Sequence, residues 1–367
     1  MTSTQKAAAE ATPESGVSSS PRTGLQRLRI TLVVVATSFL AAEVLARILA
    51  PSAKLLRVKQ LEKALAGDDR QSYKNIIVND EETFWRFSPN IELERGKGPL
   101  FGKISNAQGL RARGDVVIPK RKGLTRILFL GDSCTFGYLM EDQDSFVART
   151  EQELHRSDRS HAFECINAGV PGYTAFQCWR RLETEGFDYQ PDLVVVQFGW
   201  NGSSVWDGRS DPEHYRAQRA STPPGLLNSS RIIQLLWETM FWPGSGEDGR
   251  ARLAPAEMVK VLERMESACH KRGIGLLILL TGSRTNLKAN TLTPLQAAQM
   301  QFASTRSFGP NLGTPIVDGV TPLTRLVQEG RQVNTLLFDD AHPTVAYNAV
   351  LASLLATKIK QWAAAPR

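Results

Sequence analysis

The chain has 367 residues, room for about two domains at roughly 150 residues each. Its 42% hydrophobic and 22% charged residues exclude collagen-like, coiled-coil and wholly disordered chains, and four Cys in this length cannot form a disulfide scaffold. The net charge of +7 divides into +2 over 1–50, +6 over 51–122 and −1 over 123–367, so the large C-terminal part lacks the one-sided charge of a nucleic-acid binder, and no nucleic-acid partner is expected.

Residues 1–29 read as a disordered tail, rich at its start in Ala, Ser, Thr and Pro. Between 30 and 50 the chain turns apolar (ITLVVVATSFLAAEVLARILA), and such a helix, rising about 1.5 Å per residue, matches the roughly 30 Å of a bilayer's hydrocarbon core. Glu43 and Arg47 interrupt it, four apart with the acid first, so on a helix they face each other. They lie near its end, where long side chains reach the interface at little cost. The stretch fits a single-pass signal-anchor helix; a cleaved signal peptide and a buried soluble helix are the competing readings. Arg22, Arg27 and Arg29 before it nearly balance Lys54, Arg57, Lys59 and Lys63 after it, so the charges alone leave its orientation open.

Residues 51–122 form a juxtamembrane preamble. The spacing predicts a basic amphipathic helix over Lys54–Ala66, then turns and edge strands containing Trp85, Phe87, Pro89 and the run Ser105–Arg111, packed on the domain that follows. Lys120-Arg121-Lys122 reads as a solvated linker.

From 123 to 367 short apolar runs alternate with amphipathic segments. The runs are Arg126–Leu130, Phe163–Ala168, Leu193–Phe198, Ile274–Leu280 and Pro315–Val317; unbroken apolarity over a few residues fits strands buried on both faces of a parallel sheet. The segments near 145–156, 174–186, 255–272, 293–306 and 343–362 fit helices. Strand–helix alternation defines α/β: a three-layer αβα sandwich with a mainly parallel sheet, behind one transmembrane helix. The rhythm breaks at about 202–253, an insertion carrying Trp206, Tyr215, Trp237, Phe241 and Trp242. It reads as a small helical subdomain, or else as a wall or lid of the site.

Ligands of such sheets bind at the loops that follow the strands. After the first run comes Gly131-Asp132-Ser133, a turn that can expose a hydroxyl beside the backbone N–H of a helix start. The second leads into Asn167-Ala168-Gly169-Val170-Pro171-Gly172, where Gly169 would let a backbone N–H approach a substrate. Gly199-Trp200-Asn201 supplies a side-chain amide after the third. Near the C-terminus Asp339-Asp340-Ala341-His342-Pro343 sets a histidine at the mouth of the last helix. Residues i and i+3 of a turn come together, which favours Asp339 over Asp340 as the histidine's partner. Each piece alone is common. In chain order, at successive strand ends, they supply every part that acyl transfer requires.

These four blocks resemble the SGNH (GDSL-type) hydrolases: Ser133 in GDS, Gly169, Asn201 in Gly-x-Asn and His342 in Asp-x-x-His, over residues 123–365. The run Ser105–Arg111 is similar to one found in membrane-anchored members. Many members carry Asp after the third-block Asn, where this chain has Gly202. No Gly-x-Ser-x-Gly occurs, which sets the α/β-hydrolase elbow aside.

The resemblance implies a serine esterase of double-displacement type. Ser133 would be the nucleophile, His342 the general base and Asp339 its orienting partner, with the N–H groups of Ser133 and Gly169 and the amide of Asn201 forming the oxyanion hole. No cofactor or metal is expected, since Cys134, Cys165, Cys178 and Cys269 lack zinc spacing. Cys134 and Cys165 are expected to be buried. The expected substrate is a short O-acyl ester, such as an acetyl group on an envelope glycan, with the domain extracytoplasmic (periplasmic). The alternatives are an acyltransferase to a sugar hydroxyl using the same residues, and an inactive envelope scaffold.

Overall fold

The computed structural model describes residues 21–49, 76–96, 98–205, 208–241, 249–307, 313 and 315–365. The first twenty residues, the helix expected over Lys54–Ala66, and Trp206 and Trp242 lie outside the described residues. The chain forms two units, residues 1–53 with 223–238, and residues 54–222 with 239–367.

The first unit contains helix α1 (Pro21–Leu49), which begins nine residues before the apolar stretch, so residues 21–29 are helical rather than part of a tail. Proline is favoured in a first helical turn, where no N–H acceptor is needed. The part from Gly24 to Leu49 is long and apolar enough to cross a membrane, and its most apolar stretch is wholly uncovered. The unit also holds most of the middle of the insertion.

The second unit opens with two small antiparallel hairpins, β1 (Ile77–Asp80) with β2 (Phe84–Phe87), and β3 (Glu92–Leu93) with β4 (Gly102–Lys103). The central sheet follows. Its strands are β5 (Leu124–Gly131), β6 (Ala162–Gly169), β7 (Leu193–Gln197), β8 (Gly275–Leu280) and β9 (Ile316–Asp318), all parallel, in the order β6-β5-β7-β8-β9. The helices are α2 (Ser133–Phe136), α3 (Phe146–Ser157), α4 (Ala175–Thr184), α5 (Asp211–Ala220), α6 (Arg231–Phe241, whose first eight residues belong to the other unit), α7 (Pro255–His270), α8 (Arg284–Ala289), α9 (Pro294–Ser304), α10 (Val320–Gln328) and α11 (Val345–Ala364).

Both sheet faces are apolar because alternate residues serve different layers. Leu128, Leu130, Val194, Val196, Ile278 and Leu280 pack against one core with α4, α7 and α9. Ile127, Phe129, Leu193, Val195, Leu277 and Leu279 pack against the other with α3, α10 and α11. The preamble joins the first core: Trp85 Nε1 donates to the Pro171 carbonyl at 3.1 Å, and Tyr173 Oη donates to the Trp85 carbonyl at 2.6 Å. The insertion does not form one subdomain. Its ends fold on the second unit, where buried Arg252 holds buried Asp211 through two bonds of 3.0 and 2.9 Å, and its middle belongs to the first.

Candidate active site

Strand β5 is flanked by β6 on one side and β7 on the other, so the winding direction reverses at its C-terminal end. That is the switch point where open α/β sheets place ligands. Gly131 closes β5 against a crowded wall: a Cβ there would collide with Thr135 Oγ1 and meet the Gln197 carbonyl at 2.5 Å. Without one, the chain turns straight into α2. Asp132 caps that helix, its Oδ1 accepting the Cys134 N–H at 2.9 Å. Ser133 is the first helical residue and half-buried.

The loop before α11 brings the histidine to the serine. His342 Nε2 stands 2.8 Å from Ser133 Oγ, and Nδ1 stands 2.7 Å from Asp339 Oδ2. Asp339 Oδ1 also accepts the backbone N–H groups of Ala341 and His342, each at 2.9 Å. Partial burial pushes the Asp339 carboxyl up, but the bonds from His342 and the two N–H groups outweigh it and hold the carboxyl well below its ordinary range. Asp340, by contrast, is exposed, and its backbone carbonyl accepts from Arg284 N–H at 2.9 Å.

Asn201 begins a short turn after β7. Its Nδ2 donates to the Tyr173 carbonyl at 3.1 Å and lies 3.4 Å from Asp132 Oδ2. The Gly202 departure has a packing reason: a Cβ there would meet Leu295 Cδ1 at 3.0 Å and the Leu253 carbonyl at 3.2 Å. Asp132 is wholly buried, and desolvation pushes its carboxyl up to about 6 despite the Cys134 N–H bond and the nearby histidine.

Gly169 departs from the expectation. Its N–H already donates to Asn167 Oδ1 at 3.0 Å. Glycine is required there because a Cβ would strike Phe136 N and lie 2.8 Å from the Thr135 carbonyl carbon, so Gly169 lets β6 close on α2. Three residues on, Gly172 adopts a φ of 81°. Among the described residues, the N–H groups of Ser133 and Gly172 take no acceptor.

Three further residues shape the site. The Tyr138 ring lies 4.4 Å from the His342 ring, tilted by 33°. Asn167 Nδ2 donates to the Thr135 carbonyl at 2.9 Å, fixing α2 from β6. Arg111, buried in the preamble, donates to the carbonyls of Phe136, Gly137 and Met140 at 2.9, 2.8 and 2.6 Å. Arg111 and Asn167 stand inside runs that the sequence singles out, but nothing in spacing reveals which carbonyls they reach. Tyr138 gives no sequence signal. All four cysteines are free thiols; Cys134 is buried as expected, whereas Cys165 is half-buried. Among the described residues, no three His, Cys, Asp or Glu side chains converge as metal ligands. Beside Cys134, a crevice of about 20 Å³ runs between Cys134, Gln197, Gly199, Trp200, Thr281 and Ala341, and Ser133, Asn201 and His342 do not line it.

Residues 129–350 match the GDSL-like lipase/acylhydrolase family, well over half of the chain. The chain belongs to that family, whose members cleave ester bonds. Similar solved structures include a lipase/acylhydrolase from Enterococcus faecalis, 18% identical over 65% of this chain and 96% of that one, TM-score 0.43. An acetyl xylan esterase is 15% identical over 64% of this chain and 99% of that one, TM-score 0.42. A two-domain esterase active on acetylated mannans is 18% identical, TM-score 0.40; the match covers 66% of this chain but only 50% of that one. No curated protein matches the chain.

Proposed function

We propose that this chain is a serine esterase that removes short acyl groups, acetyl above all, from an envelope glycan. The observation that carries the reading is the unbroken line Ser133 Oγ, His342, Asp339, with contacts of 2.8 and 2.7 Å. Ser133 Oγ attacks the ester carbonyl as His342 Nε2 takes its proton. The tetrahedral intermediate collapses, and the imidazolium returns that proton to the leaving alcohol. A water deprotonated by His342 then attacks the acyl-serine, releasing the acid and restoring the hydroxyl. Asp339 keeps the proton-bearing Nδ1 turned away from the serine and stabilises the imidazolium.

The oxyanion hole in this reading is built from the Ser133 N–H, the Asn201 amide and the Gly172 N–H. Gly172 replaces Gly169, whose N–H is engaged by Asn167. Of the two Asn201 N–H bonds, the one directed loosely at Asp132 at 3.4 Å is free to turn to an oxyanion. Each such donor is worth about 2.7–4 kcal/mol in the transition state.

One feature supports a sugar ester. Trp200 and Phe338, flanking Asn201 and Asp339, are each 42% exposed, and flat apolar rings at an open mouth suit stacking on a pyranose. The half-exposed Asp339 leaves the site open to water, which favours hydrolysis over transfer to a second hydroxyl. In the same reading α1 spans the membrane and holds the second unit on the extracytoplasmic side.

Trp200→Ala tests the glycan reading. It is expected to raise KM for an acetylated xylo-oligosaccharide about fivefold, roughly 1 kcal/mol, while leaving p-nitrophenyl acetate within about twofold. Equal effects on both substrates, or on neither, would count against a sugar platform.

A further inference from the structure

Charged residues in a membrane-spanning helix are costly and call for partners. Within the first unit, Glu43 and Arg47 of α1 have theirs. Glu43 Oε1 accepts the Arg231 N–H at 2.7 Å, while Oε2 accepts the Ile232 N–H at 3.2 Å and the Ser230 hydroxyl at 2.9 Å. These backbone N–H groups open α6, where a helix has no internal acceptor for them. Arg47 Nε donates to Glu43 Oε1 at 2.8 Å, and its Nη2 donates to the Ser229 carbonyl at 2.6 Å. The pair therefore clamps the start of the inserted helix to α1.

The place of the clamp fixes a depth. A helix from Gly24 to Leu49 is about 39 Å long at 1.5 Å per residue, longer than the roughly 30 Å hydrocarbon core. With Gly24 at one edge of the core, Glu43 lies 19 residues, about 28 Å, along the helix and so close to the opposite edge, beside the interface. The segment held there is strongly apolar and uncovered: Leu226 is 92% exposed, Leu227 45% and Leu236 59%. A solvated surface rarely gathers such side chains, whereas an interfacial helix buries them about 5–10 Å into the headgroup–acyl boundary.

We infer that the inserted segment, from Gly225 to Glu238, is a second membrane contact, held by Glu43 and Arg47 against the anchor with its leucines in the interface of the same bilayer. This rests on the reading that α1 spans that bilayer. It also gives the clamp a mature partner, since cleavage after α1 would strand the N-terminus of α6.

The test uses the full chain reconstituted in phosphatidylethanolamine–phosphatidylglycerol vesicles. Single variants Leu226→Cys, Leu236→Cys, Val35→Cys and Arg331→Cys carry an environment-sensitive nitrobenzoxadiazole label, with the unsubstituted chain as blank. Nitroxide lipids quench either near the headgroup or deep in the core. Positions 226 and 236 are expected to be quenched several-fold more by the shallow lipid, position 35 by the deep one, and exposed position 331 by neither. Adding Glu43→Ala is expected to reduce quenching at 236 by half or more while leaving position 35 unchanged. Quenching at 35 without quenching at 226 and 236 would overturn the inference, whether water or a second copy covers the segment. Absence of quenching at 35 would overturn the spanning reading itself.

Discussion

At the scale of single residues, two adjacent carboxylates differ in what they touch. Asp339 bonds His342 Nδ1 at 2.7 Å, whereas Asp340 faces solvent. Asp339→Asn is expected to lower kcat about 10⁴-fold by admitting the wrong imidazole tautomer. Asp340→Asn should change it by less than about tenfold, roughly 1.4 kcal/mol. Steady-state rates on p-nitrophenyl acetate check both, and a reversed order would refute the assignment. The i, i+3 spacing made this choice legible in the sequence. The choice among glycines was not legible, because a side chain two residues earlier, Asn167, decides whether the Gly169 N–H is engaged.

Asp132 carries a second residue-scale consequence. Its folded pKa of about 6 lies above its ordinary 3.8, so the folded chain binds that proton more tightly than the unfolded one. Its charge therefore costs stability above about pH 6, and the cost fades as pH falls towards 3.8. Asp132→Asn keeps an oxygen to cap α2 without the charge. Thermal melts should show it raising Tm relative to the parent at about pH 8, with that gain gone by about pH 4. An equal difference in Tm at both pH values would contradict the burial argument.

At the scale of elements, helix α2, which begins at Ser133, has only four residues and depends on neighbours. Arg111 holds the carbonyl of its last residue, Phe136, and those of Gly137 and Met140 beyond it, and Asn167 holds the Thr135 carbonyl within it. Arg111→Met would leave the Gly137 and Met140 carbonyls buried without that donor and the Phe136 carbonyl with only Asn167 Nδ2 at 3.4 Å, a loss on the order of 3 kcal/mol, at the upper end of ordinary substitutions. Because the same loop carries Tyr138 beside His342, kcat should fall in the protein that remains folded. Urea unfolding with parallel rate measurement checks this; an unchanged midpoint would show that the preamble does not brace the site.

The five core strands were readable as apolar runs, since strands covered on both faces need no alternation. Helix α10 escaped that reading because Pro322 looks like a breaker. In the fold it stands in the first turn, where its missing N–H costs nothing. The early start of α1 escaped for a related reason: hydropathy marks the stretch that suits lipid, and a helix can run on past it through Arg22–Arg29.

At the scale of the whole molecule, the basic excess lies in the first 122 residues, while the neutral remainder carries the sheet and the site. That division, and the order of the four blocks, could be read directly. The fate of the insertion could not, because an apolar segment does not name its partner. Its ends pair Asp211 with Arg252 in one unit, and its middle is capped by Glu43 in the other. Both arrangements join residues far apart in sequence, which no local pattern encodes. The central claim is that Ser133 is an activated nucleophile, and labelling of the full-length chain with a fluorophosphonate probe tests it most directly. The account predicts stoichiometric modification at Ser133 and its complete loss in Ser133→Ala, with an unchanged melting temperature. Undiminished labelling of that folded variant, or no labelling of the parent chain, would contradict it.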